Sequence, residues 1–125
     1  MRAFLQRLAR GEAGGAAVEY ALILPAFISL IVGGLCVGQL AFAINSLHYA
    51  VQDAARCAAV RTTVCDTTAH TVSYAQSRYA GPDISPTFNY STGGCGHTVT
   101  ASGSYPITLA VTTLNVAVSS AACYP

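Results

Sequence analysis

The chain has no lysine and few charges of either sign. Only 9% of its 125 residues are charged, and six arginines against five acids leave a formal net charge of +1. That balance argues against nucleic acid, or a strongly anionic surface, as partner. Formal charge is absent altogether between Glu19 and Asp53, and neither glycine nor proline occurs between Gly38 and Gly81. No internal repeat, long linker or low-complexity tract interrupts the sequence. It also has no G-x-S-x-G elbow, no phosphate-cradling glycine loop and no H-E-x-x-H helix motif. Beyond the long apolar run, on its C-terminal side, the acids are Asp53, Asp66 and Asp83, with His48, His70 and His97 as the only histidines. Nothing fixes a catalytic geometry among them, so each histidine reads as a polar surface or half-buried residue and no enzyme is expected. Cys95 lies near His97, and Cys65 precedes His70 by five, but no C-x-x-C or H-x-x-x-H pair gives zinc spacing. No metal or other cofactor is expected.

What is present is apolar. Hydrophobic residues make up 53% of the chain, high for a soluble domain. From Tyr20 to Ile44 only Ser29 and Gln39 are polar. At about 1.5 Å per residue this run makes a helix of about 37 Å, enough to cross a bilayer with some tilt. Lipid offers the backbone no partners, so helix is the expected conformation. Arg2, Arg7 and Arg10 crowd the first ten residues. The positive-inside rule keeps that arm cytoplasmic and places residues after about 45 outside the membrane. Pro25 frees the carbonyl of Ala21 and predicts a mild kink. Gly34 and Gly38 form a G-x-x-x-G pattern that allows close helix approach. The competing reading is a cleaved secretory signal ending at "AFA", Ala41–Ala43. Its apolar run is much longer than a usual signal core.

Beyond the apolar run, Ile44, Leu47, Val51, Ala54, Ala55, Ala58 and Ala59 recur at spacings of three and four, one face of an amphipathic helix. One helix is therefore predicted from about Ala16 into the low 60s. The threonine-rich stretch at 62–68 weakens it, and "HTVSYAQSRYA" offers a further turn or two. Gly81 and Pro82 then break the pattern. The tail is rich in Thr, Val, Tyr and Ser. Phe88/Tyr90, Val99/Ala101, Tyr105/Ile107/Leu109 and Val116/Val118 alternate, which predicts short antiparallel strands. "STGGCG" and "ASGS" are the turn candidates, and Pro106 suggests an edge strand or a strand start.

Cys36 lies in the apolar run and reads as an inert small hydrophobe. Cys57, Cys65, Cys95 and Cys123 fall on the outer, oxidising side and are disulfide candidates. Four cysteines permit three pairings, and sequence does not choose among them. We favour Cys57–Cys65, closing the helix end, with Cys95–Cys123, tying the last strand to a glycine-rich turn. An outer domain of about 80 residues benefits from such staples.

Glu19 stands at the mouth of the apolar run. Read alone, it marks a helix start, where negative charge suits the dipole and the side chain reaches back to water. Its neighbours add to that reading. Gly14 followed by Gly15-Ala16-Ala17-Val18-Glu19-Tyr20 resembles the processing site of type IV pilin-like proteins of the Flp, or tight adherence, class. There a membrane aspartyl peptidase cuts after a glycine, with Glu and Tyr at the fifth and sixth positions of the mature chain. "GGAAVEYALILPAFISLIVGGL", "NSLHYAVQDAARCAAV" and the tail ending "YPITLAVTTLNVAVSSAACYP" resemble the TadE family of pseudopilins along nearly the whole chain. The A-V-E-Y-A-L-x-L-P stretch is the specific part and the tail the looser one.

The resemblance implies an α+β chain in four parts. These are a basic cytoplasmic leader at 1–14, a transmembrane helix at 15–45, a periplasmic extension of that helix at 46–80 and a small disulfide-stapled β domain at 81–125. It implies processing at Gly14, Gly15, Glu19 and Tyr20, and helix packing through Glu19, Pro25, Gly34 and Gly38. The implied role is that of a minor pseudopilin in Flp-type pilus assembly. The implied partners are the inner membrane, other pseudopilins, the major pilin, the prepilin peptidase and the assembly platform. Two other readings compete: a membrane-anchored or secreted binding domain unrelated to pili, and an anchored hydrolase using His70 or His97.

Overall fold

The computed structural model describes residues 13–108 and 112–125. The basic arm carrying Arg2, Arg7 and Arg10, and the strand position expected for Leu109, lie outside them. Helix α1 spans Ala13–Val60 and runs through Pro25 without a break. Beside the proline, the Ser29 hydroxyl donates to the Pro25 carbonyl at 2.7 Å. By contact density the chain divides between Val37 and Gly38. In the first unit every side chain from Gly14 to Leu35 is exposed, and Cys36 is half-buried.

The second unit, Gly38–Pro125, is built on the rest of α1. This segment buries Ala43, Leu47, Ala50, Val51, Ala54, Ala55 and Ala58. The face is nearly the expected one, shifted by a residue at its start: Ala43 is fully buried, whereas Ile44 is 44% exposed. In an unbroken apolar run, periodicity carries no phase information. The choice of Ala43 was therefore made by the sheet, which a small residue lets approach closely. Ala59 is only half-buried.

The helix does not extend to residue 80. It ends at Val60, and Thr68–Arg78 forms a separate helix, α2. Thr62, Thr63 and Val64 are weak helix formers. The Cys57–Cys65 disulfide closes the chain on itself across this turn, with Cα atoms 5.9 Å apart. The Arg61 and Cys65 amides bond to Cys57 and Arg61 carbonyls. Thr67 then caps α2, its hydroxyl accepting from the His70 amide at 3.2 Å, which satisfies one of the unpaired first-turn donors. Thr71 is fully buried and donates its hydroxyl to the Thr67 carbonyl.

Three antiparallel strands follow in the order β1-β2-β3: Thr87–Gly93, Gly96–Thr108 and Thr113–Tyr124. The expected alternation sets the register, with Phe88 opposite Ala101, Tyr90 opposite Val99 and Tyr105 opposite Val116. Their buried members form one core with the inner face of α1 and with Ala75 and Ile84. "STGGCG" is a turn: Gly93 pairs with Gly96 around Gly94 and Cys95. Gly96 has φ +122°, a backbone conformation that favours glycine.

"ASGS", in contrast, is no turn but the middle of β2. Its glycine serves close approach, since a Cβ on Gly103 would lie 2.9 Å from the Ile84 carbonyl oxygen and the same distance from its Cδ1. Pro106 also lies inside β2. Pairing with β1 ends at Thr87 opposite Ser102, so β2 is locally an edge beyond that point. The Ser104 amide turns away from β3 to the Ile84 carbonyl. Two residues on, Pro106 directs its missing donor to the same open side, where no ladder bond is lost.

Both favoured disulfides form. The second joins Cys95 in the hairpin loop to Cys123 in β3, 28 residues apart. Each contributes roughly 2–4 kcal/mol.

Gly103→Ala is expected to destabilise the folded chain by about 1–3 kcal/mol, because backbone must shift to admit the methyl group. Gly94→Ala, where a Cβ meets nothing within 4 Å, should stay within about 0.5 kcal/mol. Thermal unfolding in detergent, followed by tyrosine fluorescence, checks the pair.

Candidate functional site

In the first unit, the residues singled out from sequence are all on α1. Gly14, Gly15, Glu19 and Tyr20 occupy its first turns and are exposed. Gly15 and Glu19 are four apart, so they share one helix face. The side chains that follow are large, apolar and uncovered: Tyr20 and Leu22 are each 74% exposed and Leu30 is 76% exposed. A Cβ on Gly34 would meet nothing within 4 Å, and the same holds for Gly38 in the second unit. The N-terminal helix is long and apolar enough to cross a membrane. Exposed apolar surface of this extent needs cover, which lipid or neighbouring helices supply.

In the second unit, α2 is tied to α1 by a polar cluster that the sequence alone gave no reason to assemble. The Asp53 Oδ2 accepts from the Tyr74 hydroxyl at 2.9 Å and lies 3.0 Å from Arg78 Nε. The Tyr74 oxygen in turn accepts from Arg78 Nη2 at 2.8 Å and Arg61 Nη1 at 3.3 Å. The Arg78 guanidinium also sits 4.9 Å from the Tyr74 ring centre, a cation–π distance. Tyr74 holds Arg78 more firmly protonated, first through this hydrogen bond. Asp53 and Tyr74 are 21 residues apart, which is why spacing did not reveal the pair.

Each histidine has a partner. His48 Nε2 lies 2.8 Å from the Gln52 side-chain nitrogen and its Nδ1 hydrogen-bonds the Ser120 hydroxyl at 2.9 Å. His97 bonds to the Tyr90 hydroxyl at 2.6 Å and stacks on its ring. His70 bonds to Asp66 across one turn of chain. That hydrogen bond is the main reason the Asp66 carboxyl lies below its ordinary range. Burial of the Tyr79 ring, with Asp83 nearby, pushes the Tyr79 phenol up. Among the described residues no group of three His, Cys, Asp or Glu side chains is arranged to hold a metal.

The folded-state value of Asp66 is depressed. The contribution of its bond to His70 is therefore complete above the ordinary carboxylate range and is lost as pH falls through the lowered value. An NMR titration of the Asp66 carboxyl should give a midpoint below 3.8, and His70→Ala should return it toward that figure. A midpoint at or above it in the unsubstituted protein contradicts the assignment.

Comparison with known proteins bears on the first unit and the start of the second. A family model described as TadE-like protein matches residues 14–56. The match opens on Gly14 and ends within α1, so α2 and the sheet fall outside it. No curated protein and no solved structure matches the chain. The match associates the chain with the tight adherence pilus system. The helical segment from Gly14 to Arg56 is thus similar to the TadE-like family.

Proposed function

We propose that this chain is a minor pseudopilin-like membrane protein that takes part in assembling a Flp, or tight adherence, pilus by helix packing rather than by catalysis. The observation that carries this reading is the coincidence of three features on one helix. The family match begins at Gly14, the side chains from there to Leu35 are exposed, and the run after Glu19 is uncharged as far as Asp53. The basic leader stays cytoplasmic and residues after about 45 lie in the periplasm. The partners are other pseudopilins, the major pilin, the assembly platform and a prepilin peptidase that cuts between Gly14 and Gly15.

The cut has a physical consequence. It removes Arg2, Arg7, Arg10 and Glu12, and it frees an amine on Gly15 on the same face as Glu19. A carboxylate drawn to the membrane centre costs about 2.5–3.5 kcal/mol. Pairing with an amine, its own or a neighbour's, offsets much of that. A neighbour in the wrong axial register leaves Glu19 unpaired, so the side chain sets register as helices pack.

Cleavage after Ala43, as for a secreted binding domain, is disfavoured by the core. Ala43 is fully buried, Leu40 packs against the same cluster, and the Tyr105 hydroxyl donates to Gln39 at 2.6 Å. A signal cut there strips all three from the folded unit.

N-terminal sequencing of membrane-extracted protein should read Gly15-Ala16-Ala17-Val18-Glu19; retention of Met1–Gly14 rejects processing. Glu19→Gln should leave processing intact and reduce assembled pili. Undiminished pilus formation in that variant counts against the register role.

A further inference from the structure

The Gly38–Pro125 unit is formally neutral, with Arg56, Arg61 and Arg78 against Asp53, Asp66 and Asp83. Its charges are nevertheless segregated. From Ile84 to Pro125, sheet included, there is no formally charged side chain. Asp66 is engaged by His70, and Asp83 accepts from the Ser85 amide at 3.0 Å. Two arginines are tied to the one remaining carboxylate, Asp53, and the third, Arg56, lines the space beside it. Arg78 pairs with it directly, and Arg61 reaches the phenol that bonds to it. Arg56 lines a cavity of about 230 Å³ together with Asp53 and Arg61. Arg56 has no ion-pair partner among the described residues. The cluster therefore holds three cations around one anion, in a chain that otherwise spends little charge.

A second cavity, of about 500 Å³, shares Asp53 and Arg56 with the first. Its other walls include the exposed rings of Tyr49 and Tyr124 and the side chains of Ala121 and Ala122. Arg56 and Arg61 line the smaller space with Asp53, Cys57 and Val60, and the larger one combines the Tyr49 and Tyr124 rings and three alanines with polar walls from Gln52, Asp53 and Arg56.

We propose that these two adjoining cavities receive a segment of a partner polypeptide in which an acidic side chain lies beside a large apolar one. The carboxylate takes the Arg56–Arg61 space, where planar guanidinium forks match a planar anion. The apolar side chain takes the space between Tyr49 and Tyr124, where aromatic walls favour it. Asp53 selects within this class. It cancels one of the three positive charges and places a carboxylate beside the ligand, which suits a monoanion better than a dianionic phosphate. Nothing in this site depends on whether the N-terminal helix is processed.

The test uses the full chain in an uncharged maltoside detergent. The probe is a short blocked peptide with one glutamate beside one phenylalanine, carrying a fluorophore for anisotropy. Saturable binding is expected below about 1 mM. Replacing the peptide's glutamate by glutamine should weaken binding at least about tenfold, as should Arg56→Gln combined with Arg61→Gln. Arg56 is exposed and outside the Asp53–Tyr74–Arg78 bonds, so Arg56→Gln alone, with an unchanged circular dichroism spectrum, should already weaken binding severalfold. Inorganic phosphate, or vesicles containing phosphatidylglycerol, should compete poorly. The proposal is overturned by absence of saturable binding, by equal affinity for the glutamine peptide, by indifference to the arginine substitutions, or by phosphate or anionic vesicles displacing the peptide as well as unlabelled peptide does.

Discussion

The second unit depends on burial of an alanine-rich face of α1 beneath an uncharged three-stranded sheet. Ala43, Ala50, Ala54 and Ala55 add little apolar area each, but they share one buried core with Leu47, Val51, Phe88, Val99 and Val118. The other features hold that contact in place. The Cys57–Cys65 link ends the helix where its face runs out. Asp53, Tyr74 and Arg78 fasten α2 to α1. Gly103 lets Ile84 cross the sheet, and Cys95–Cys123 pins the hairpin loop to β3. A small unit with so few large buried side chains needs such fasteners, because its core alone supplies only a few kcal/mol.

The same helix carries two unlike environments. From Gly14 to Leu35 no side chain is covered by the described residues, and beyond Glu19 the surface is apolar all round apart from Ser29. From Ala43 onward, one face is buried and the other is exposed. The division is written in composition. An all-round apolar stretch suits lipid and other helices, whereas three-to-four spacing suits a single protein face. Glu19 stands where the first kind of surface begins.

Much of this was legible in the residues. The apolar run and the long helix declared themselves by length and composition, and the strands by their alternation. What escaped has physical reasons. The phase of the buried face at Ala43 rather than Ile44 is invisible inside an unbroken apolar run. The separate helix at Thr68–Arg78, rather than a turn or two resuming the first, depends on a Thr67 cap that composition alone did not reveal. "ASGS" reads as a turn by composition, but its glycine answers to Ile84, distant in sequence and adjacent in space. The tie of Arg61 and Arg78 to Asp53 joins two helices and leaves no local signal.

The central claim is that α1 is covered from outside the chain in its first half and by its own sheet in its second. It is tested most directly by single-cysteine scanning along α1 in native membranes, reading reactivity toward a water-soluble maleimide after Cys36 is replaced by serine. The account predicts a continuous unreactive band from about Tyr20 into the low 40s, followed by a pattern of period 3.6 in which Leu47, Val51 and Ala54 are protected and Tyr49, Gln52 and Arg56 react. Uniform reactivity through Leu22–Leu35 would contradict it, because that helix would then be bathed in water.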